Sequence, residues 1–542
     1  MFINNIFNKN NFKIKFNFRF APEPNGYLHL GHLKSLYLNY FLSQKYNKNL
    51  ILRFDDTNPK KSKKKYVKQI IKDIKWLNIK INKITYASNY FNKLYKFAII
   101  LIKNKLAYID FQSFKQINKN KYKKNINIKY RNISIKKNLY YFKKMKLGKY
   151  KEKKCVLRAK INNFKKKNIF LQDPIMYRII NKKHFRTKYK WNIYPTYDWA
   201  HGQCDLIENI KYSLCSQEFE HHKLLYNWFK EKINKYYYNN NKKIIPKQIE
   251  YSRLNINYNI LSKRKINFLI KKKIINKWYD CRLLTIKSLK NKGYYSNILL
   301  KFIKQLGYSK RPVNLNNLSL LNNIFINNID YKSYICMVVH KPIKIKLLNN
   351  KKLNYILYNI KRLNNKIKYI KIFYKNILYI SKYDFNIIKN KEKKQFNFLS
   401  NVRLKNLGII NLKYIKYNFL KNKIINLYCL IKKNNNIKKK YLTIQWISNI
   451  NKHKLIVYYY NKLFLKKNIE KLSYKNILFY YNKKSLLKLK GYTNLNFINN
   501  KNKIFQFQRL GYYYLYKKYI KYNKCIYIFN NIFLFKYNAL NI

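Results

Sequence analysis

Residues 19–35 read RFAPEPNGYLHLGHLKS, and the fold class follows from what flanks them. Just upstream, FNFRF (residues 16–20) reads as a short strand. A helical pattern runs from about residue 29 to 46. NLILRF (residues 49–54) is then a continuous apolar run ending at Asp55 and Asp56. Strand, loop, helix, strand is a βαβ unit with a parallel sheet. The quoted stretch therefore lies outside the carboxyl end of a parallel strand, where open α/β sheets bind their ligands. Asn58-Pro59 turns the chain out of the unit. A helix with Ile70, Ile71, Ile74 and Leu77 on one face follows, and an apolar helix over residues 90–105.

Within the loop and helix start, His29 and His32 are three apart and share one face. Gly31 between them leaves room for a flat group against the backbone. A helix N-terminus favours negative charge, so two imidazoles there suit a developing phosphate charge. Two surface histidines at a helix cap would read the same way. A second cluster, LSKRK (residues 261–265), offers Lys263 on a Ser-bearing loop as a point-charge clamp for a triphosphate. Taken alone it reads equally as a solvated basic run.

The composition permits a polyanionic partner. The 542 residues carry 120 Lys+Arg against 19 Asp+Glu, a formal charge of +101. Self-repulsion of that size strains a compact state, and nucleic acid is the natural neutraliser. Lys, Asn, Ile, Tyr and Phe also share codons built from A and T, so biased base composition produces the same charge whatever the protein does. The bias makes its exceptions informative. Eight of the 19 acids lie between Asp173 and Glu250, Glu23, Asp55 and Asp56 are three more, and Pro342 is the last proline. The chemistry is therefore expected in the first half. Seven cysteines without a CxxC pair indicate no zinc ribbon and suit a reducing cytoplasm. No apolar run reaches the ~18 residues that span a bilayer. The opening MFINNIFNKNNFKIKF lacks a signal-peptide core.

Residues 106–190 are mixed and read as an insertion between two halves of a nucleotide-binding fold. Residues 253–310 look helical, with helix, turn and helix between 278 and 307. From about Ser333 short β-rich runs such as ICMVV, IKIKL, NVRL, YLTIQWI and LIVYYY suggest β-barrels or sandwiches.

His-Leu-Gly-His on a first βα turn, followed some 230 residues later by Ser-Lys-Arg-Lys, resembles the two-part signature of class I aminoacyl-tRNA synthetases. The surrounding text, with LRFDDTNP, CVLRAKI, DPIMYRI, YPTYDWAH, YSLCSQEFEHHKLLYNW, EYSRLNINYNILSKRKI and FQFQRLGYYYL, resembles the glutaminyl-tRNA synthetases of the glutamyl/glutaminyl branch over about residues 16–540. The resemblance implies a multidomain α/β plus all-β chain. Its parts would be a class I Rossmann-type nucleotide-binding domain (1–105 and 194–252), an inserted acceptor-stem-binding domain (106–193), a helical subdomain with the SKRK loop (253–332) and C-terminal anticodon-binding β-barrels (333–542). It implies an ATP site from Glu23, Pro24, Asn25, His29, Leu30, Gly31, His32, Leu33, Lys34, Ser35, Ser216, Arg253, Leu254, Leu261, Ser262 and Lys263. His29, His32 and Lys263 would act on the phosphates, with Mg²⁺ carried by ATP and no protein metal site.

The same resemblance implies an L-glutamine site from Asp55, Tyr197, Arg19, Phe219 and Gln248. Asp55 would hold the α-ammonium and Tyr197 contact the side chain. Phe219 also reads as plain core, and Gln248 as a strand residue facing solvent. Arg403, Lys405, Gln506 and Arg509 would touch the anticodon. Lys405 stands where an Arg is usual, Ile335 and Gln395 stand where the family has Arg, and His221 stands where an Asp is expected. Asn58 in DDTNP favours the glutaminyl branch over the glutamyl one, which tends to have Asp there. The implied protein is a cytoplasmic monomer that charges a glutamine tRNA. A glutamyl-tRNA synthetase and a non-catalytic RNA-binding relic are the competing readings.

Overall fold

The computed structural model describes residues 15–113, 116, 130–161, 169–241, 244–309, 313–329, 333–363, 366–386, 401–418, 423–432, 441–450, 452–494, 503–521 and 524–535. Gln395 lies outside them. The chain forms two compact units. One comprises Met1–Ile256, Leu261–Asn267 and Ile303–Leu315; the other Asn257–Ile260, Phe268–Phe302 and Asn316–Ile542.

The first unit is built on parallel strands. β1 (Asn17–Phe20) pairs with β2 (Asn49–Phe54), and β2 with β3 (Lys83–Tyr86), all parallel. On the other side of β1, Asn17 makes a parallel bridge to Ile210 and its N–H donates to the Asn209 carbonyl at 3.0 Å. That bridge leads into β8 (Tyr212–Ser216), which pairs in parallel with β9 (Lys247–Tyr251). The apolar run of β2 is explained by burial of every residue after Asn49.

Helix α1 (Leu30–Lys45) packs Leu30, Leu33, Leu36 and Leu42 into this core. Helix α2 (Lys64–Trp76) buries Val67, Ile70 and Ile74 at helical spacing, with Leu77 at its end. Ile71, expected on that face, is only half-buried. The apolar helix is α3 (Phe91–Lys103). The segment read as an insertion carries α4 (Ile135–Lys146) and an antiparallel sheet in the order β4 (Ala107–Asp110), β5 (Val156–Ala159), β6 (Ile175–Ile179), β7 (Ile193–Pro195). Helices α5 (Tyr197–Ile207) and α6 (Lys223–Tyr238) then flank β8. The stretch from 253 opens with a strand, β10 (Leu254–Ile256), parallel to β11 (Val313–Leu315). Helices α7 (Lys263–Lys271), α8 (Ile286–Lys292) and α9 (Ser296–Leu306) lie between those two strands.

In the second unit each β-rich run is a strand or a pair of strands, in two seven-stranded sheets. The first has the order Tyr334–Cys336, Ile504–Phe507, Gly511–Lys521, Lys524–Leu534, His453–Tyr460, Leu486–Thr493, Val338–His340. Its first and last strands are separated only by Met337, so the sheet closes on itself as a barrel. The second runs from Thr443–Ile444 through Asn401–Leu404, Gly408–Asn418, Lys423–Lys432, Pro342–Leu347 and Ile377–Ser381 to Trp446–Ser448, and closes across Gln445 in the same way. The unbroken apolar text of ICMVV now has a cause. Cys336 and Val338 enter one barrel core, Met337 and Val339 the other.

Glycine is scarce, and asparagine takes over its positions. Asn47 after α1, Asn78 after α2 and Asn239 capping α6 all have positive φ, at 46°, 56° and 46°. Asparagine tolerates the left-handed region because its short side chain bonds locally. Among the described residues no helix is long and apolar enough to cross a membrane.

Candidate active site

His29 is the N-cap of α1, in extended conformation (φ −128°, ψ 174°). Its Nδ1 accepts the Gly31 N–H at 3.1 Å, and the Nδ1 of His32 accepts the His29 N–H at 3.3 Å. Two imidazoles thus form a reciprocal capping box of the kind usually made by Ser and Glu. The rings lie 3.7 Å apart. A Cβ on Gly31 would sit 3.0 Å from the His29 ring, so the flat group that Gly31 admits is this imidazole itself.

Burial holds the His29 pKa well below its ordinary value, reinforced by Lys263 and Arg253. His32 is held down by burial, then by His29 and Lys263. Both rings are therefore neutral at pH 7. With each Nδ1 accepting, the proton of each ring is on Nε2, which leaves two neutral N–H donors.

Lys263 reaches this point from 240 residues away. Its Nζ donates to the Glu23 carbonyl oxygen at 2.9 Å, and burial lowers its pKa to about 8. The Glu23 carboxylate accepts a short bond from Asn25 Nδ2. The histidines and the lysine loop thus share one crevice, with Leu261 against Gly31. Ser216 and Arg253 are joined through Glu218, whose carboxylate accepts Ser216 Oγ at 2.9 Å and Arg253 Nη1 at 3.3 Å. Pro24, Leu30, Leu33, Leu254 and Leu261 are buried as packing. Lys34 is buried too, its ammonium donating to Ser252 O and Oγ at 2.9 Å each, and burial lowers its pKa to about 8. It ties α1 to the junction of β9 and β10 that carries Arg253. Ser35 is half-buried beside Tyr251, and Ser262 opens the turn into α7.

Tyr197, Phe219 and Gln248 line one small cavity, together with Asp198, His201, His222, Leu225 and Tyr226, none of which was singled out from the sequence. Gln248 is buried, donating to Phe219 O and Glu250 Oε1 at 3.0 Å each, so it does not face solvent; Phe219 is half-buried and lines the cavity rather than the core. Asp55 follows β2 directly, at its C-terminal end. Burial raises it to about 7, with Arg53 opposing and Glu23 and Asp56 adding to the rise. Among the described residues its carboxylate accepts no hydrogen bond. Burial also raises the Tyr197 phenol, and the Asp55 charge beside it raises it further.

Arg19 is not on the cavity wall. It lies in a buried network that sequence reading missed. Its Nε donates to Asp205 Oδ1 at 3.1 Å, Nη1 to the Leu214 carbonyl at 3.0 Å, and Nη2 to Ser213 Oγ at 2.5 Å and His201 Nε2 at 3.0 Å. Asp205 also accepts Arg53 Nη2 at 2.6 Å and Tyr226 OH at 3.0 Å; Glu208 accepts Arg53 Nη1 at 2.7 Å, Thr85 Oγ1 and Tyr90 OH. A guanidinium only donates, so His201 Nε2 accepts and its proton sits on Nδ1. That Nδ1 is buried with no hydrogen-bond partner among the described residues, and His201 lines the cavity. Burial takes the ring to about 3, so it stays neutral. The one sequence signal was that Asp205 and Glu208 survive in a chain that has lost most acids.

In the second unit Arg403, Lys405 and Arg509 gather around Thr443–Ile444. Arg403 pairs with Thr443 in register, the Lys405 N–H donates to Ile444 O, and Arg509 Nη1 donates to Thr443 O at 2.6 Å. Gln506, three residues before Arg509, is paired with Ile335. His221 is exposed in the first unit.

Comparisons with known proteins identify the family. The family model for tRNA synthetases class I (E and Q), catalytic domain, matches residues 15–329, and the anti-codon binding domain of the same group matches residues 443–516. A glutamine–tRNA ligase of Buchnera aphidicola subsp. Acyrthosiphon pisum (strain Tuc7) is 39% identical over 536 residues, covering 94% of this chain and 92% of that protein. One from Enterobacter sp. (strain 638) is 33% identical over 524 residues, with 94% and 92% covered. A solved glutamate tRNA ligase from Elizabethkingia meningosepticum shares 14% identity at a TM-score of 0.43, over 59% of this chain and 71% of that one, too distant to weigh on the amino acid. The chain belongs to the class I tRNA synthetases of the E and Q group.

Proposed function

We propose that this chain is a glutamine–tRNA ligase serving protein synthesis. L-glutamine's carboxylate attacks the α-phosphate of ATP, forming glutaminyl-adenylate and releasing pyrophosphate. The terminal adenosine of a glutamine tRNA then takes the acyl group and AMP leaves. ATP brings its Mg²⁺ with the phosphates. The neutral Nε2–H donors of His29 and His32, and the ammonium of Lys263, stabilise charge on the phosphates as it develops. Glu218 holds Ser216 and Arg253 at the nucleotide's edge, and Lys34 keeps that edge against α1.

The choice of glutamine over glutamate is carried by Arg19. Each of its nitrogens is engaged by Asp205, Ser213, His201 or Leu214, so it presents no cation to a carboxylate side chain. Beside it, His201 Nδ1–H is a buried donor suited to an amide oxygen, with the Tyr197 phenol as a second polar group. A site that hydrogen-bonds one polar group discriminates strongly against a charged isostere. Charging purified glutamine tRNA with each amino acid tests this. Glutamine should exceed glutamate in kcat/KM by about 10³-fold or more; comparable charging by glutamate would establish a glutamyl or relaxed enzyme instead.

Asp55 supplies the carboxylate for the substrate's α-ammonium, since a buried carboxylate without a hydrogen-bond donor is stabilised by an incoming cation. Its pKa near 7 makes binding pH-dependent. An ammonium binds the ionised form, so glutamine affinity should fall roughly tenfold per pH unit below 7. The stability sign is opposite. A carboxyl raised above its unfolded value near 4 favours the ligand-free fold at low pH, and that contribution is lost as pH rises through about 7. Calorimetric titration across that range checks both the slope and the accompanying proton release; a flat affinity would remove Asp55 from the ammonium site.

We further assign the nucleotide-binding halves to 1–105 and 194–252, the acceptor-stem insertion to 106–193, the helical subdomain to 253–332 and the anticodon barrels to 333–542. Arg403, Lys405 and Arg509 act as one cationic cluster on the anticodon, with Gln506 contacting it separately. The enzyme works as a monomer in the cytoplasm.

A further inference from the structure

We propose that the outer face of the ribbon formed by Asn354–Leu363 and Lys366–Tyr374 is a stacking surface for unpaired RNA bases, an inference that rests on the tRNA-ligase reading above. The strands are antiparallel, with Tyr355 opposite Phe373, Leu357 opposite Lys371, and Asn359 opposite Tyr369. Opposite residues share a face. The alternate set, including Tyr358, Ile372 and Tyr374, packs into a barrel core. The outer face should then be polar, as in an antiparallel sheet with one wet side. It is not. Tyr355, Leu357 and Tyr369 are each more than half exposed, and Phe373 is also exposed.

The charge carried by this stretch of sequence selects the occupant. Eight Lys and Arg and no acid lie between Lys351 and Lys375. Lys371 Nζ stands 4.9 Å from the centroid of the Tyr355 ring, and that ring lies 6.1 Å from Phe373. Exposed rings interleaved with cations on a sheet are the arrangement that binds single strands, bases on the rings and phosphates on the lysines. A second copy of a chain of charge +101 would be repelled from such a face. The same unit contains the segment matched by the anti-codon binding family model, so RNA is already a ligand expected there. Skewed base composition supplies Lys, Tyr and Phe; it does not decide that they should be set side by side on the solvent face of one ribbon.

The test uses the full chain with two labelled probes, an oligouridine of about twelve nucleotides and an RNA duplex of the same length. In the triple variant Tyr355→Ser/Tyr369→Ser/Phe373→Ser, affinity for the single strand should fall by about tenfold or more, with the salt dependence of binding unchanged and duplex affinity within about twofold. The ring-preserving pair Tyr355→Phe/Tyr369→Phe should bind as the parent does. Undiminished single-strand binding by the triple variant, an equal loss on duplex, or an equal loss in the phenylalanine pair would overturn the proposal. ATP–pyrophosphate exchange at saturating tRNA should be unchanged in the triple variant. Absence of exchange in the parent chain would sink the ligase reading and leave the stacking result standing on its own.

Discussion

Replacing Lys263 by alanine is expected to lower the rate of adenylate formation by about two to three orders of magnitude while glutamine binds almost as well as before. The reason lies in what surrounds the ammonium. The ammonium donates to the Glu23 carbonyl, and burial has brought its pKa down to about 8. It is still charged at pH 7 but poorly solvated. A triphosphate entering the crevice replaces the missing water, and the gain grows as negative charge moves onto the departing pyrophosphate. The neighbouring imidazoles cannot substitute for it, because both are neutral. Single-turnover measurement of adenylate in the presence of tRNA, beside a direct measurement of glutamine binding, separates the two effects. If both fell together, Lys263 would be shaping the pocket through Glu23 rather than acting on phosphate.

A second large effect is expected from Asp205→Ala, through stability. Asp205 sits between Arg19 and Arg53, all three almost fully buried. Burial alone would raise its pKa; the two guanidiniums, with His201, overcome this and hold it well below the usual carboxylate range. Removing it takes the ion-pair partner from the buried Arg19 and leaves Arg53 paired with Glu208, which costs on the order of 3–5 kcal/mol. Hydrogen exchange of the β1 and α5 amides reads that loss locally. A change below about 1 kcal/mol would mean that water reaches the network. A carboxylate whose folded pKa is depressed keeps its stabilising contribution until pH falls through that value. This network should therefore survive acidification well below pH 4. The same substitution removes the acceptor that orients Arg19, so the His201 ring would lose its fixed partner as well.

The βαβ unit was legible because it is a local matter. Continuous apolar text in residues 49–54, a helix beginning at His29 and a proline-bearing loop between strand and helix are each readable within a few residues, and the strand and helix bounds came out within about one residue. Ile71 was misplaced because helical spacing alone allows a face wider than the one the core covers. Strand spacing left barrels and sandwiches both open and the family resemblance implied barrels, but how the sheets close was not legible. Closure depends on Tyr334–Cys336 and Val338–His340 standing at opposite ends of one sheet, and nothing in five consecutive apolar residues says so.

The sequence by itself determined the chemistry that is available: two histidines on one helix turn, a lysine loop, acids retained in one region, and the motif text that marks the family. Tertiary structure alone decided how that chemistry is poised. It brought Lys263 to Glu23 across 240 residues, made both imidazoles neutral, withdrew Arg19 from the cavity wall into the grip of Asp205, and left the carboxylate of Asp55 and the Nδ1–H of His201 without a hydrogen-bond partner among the described residues. Residue type and spacing are properties of neighbours along the chain. Desolvation and ion pairing depend on distances between segments far apart in it, and those exist only once the core has formed.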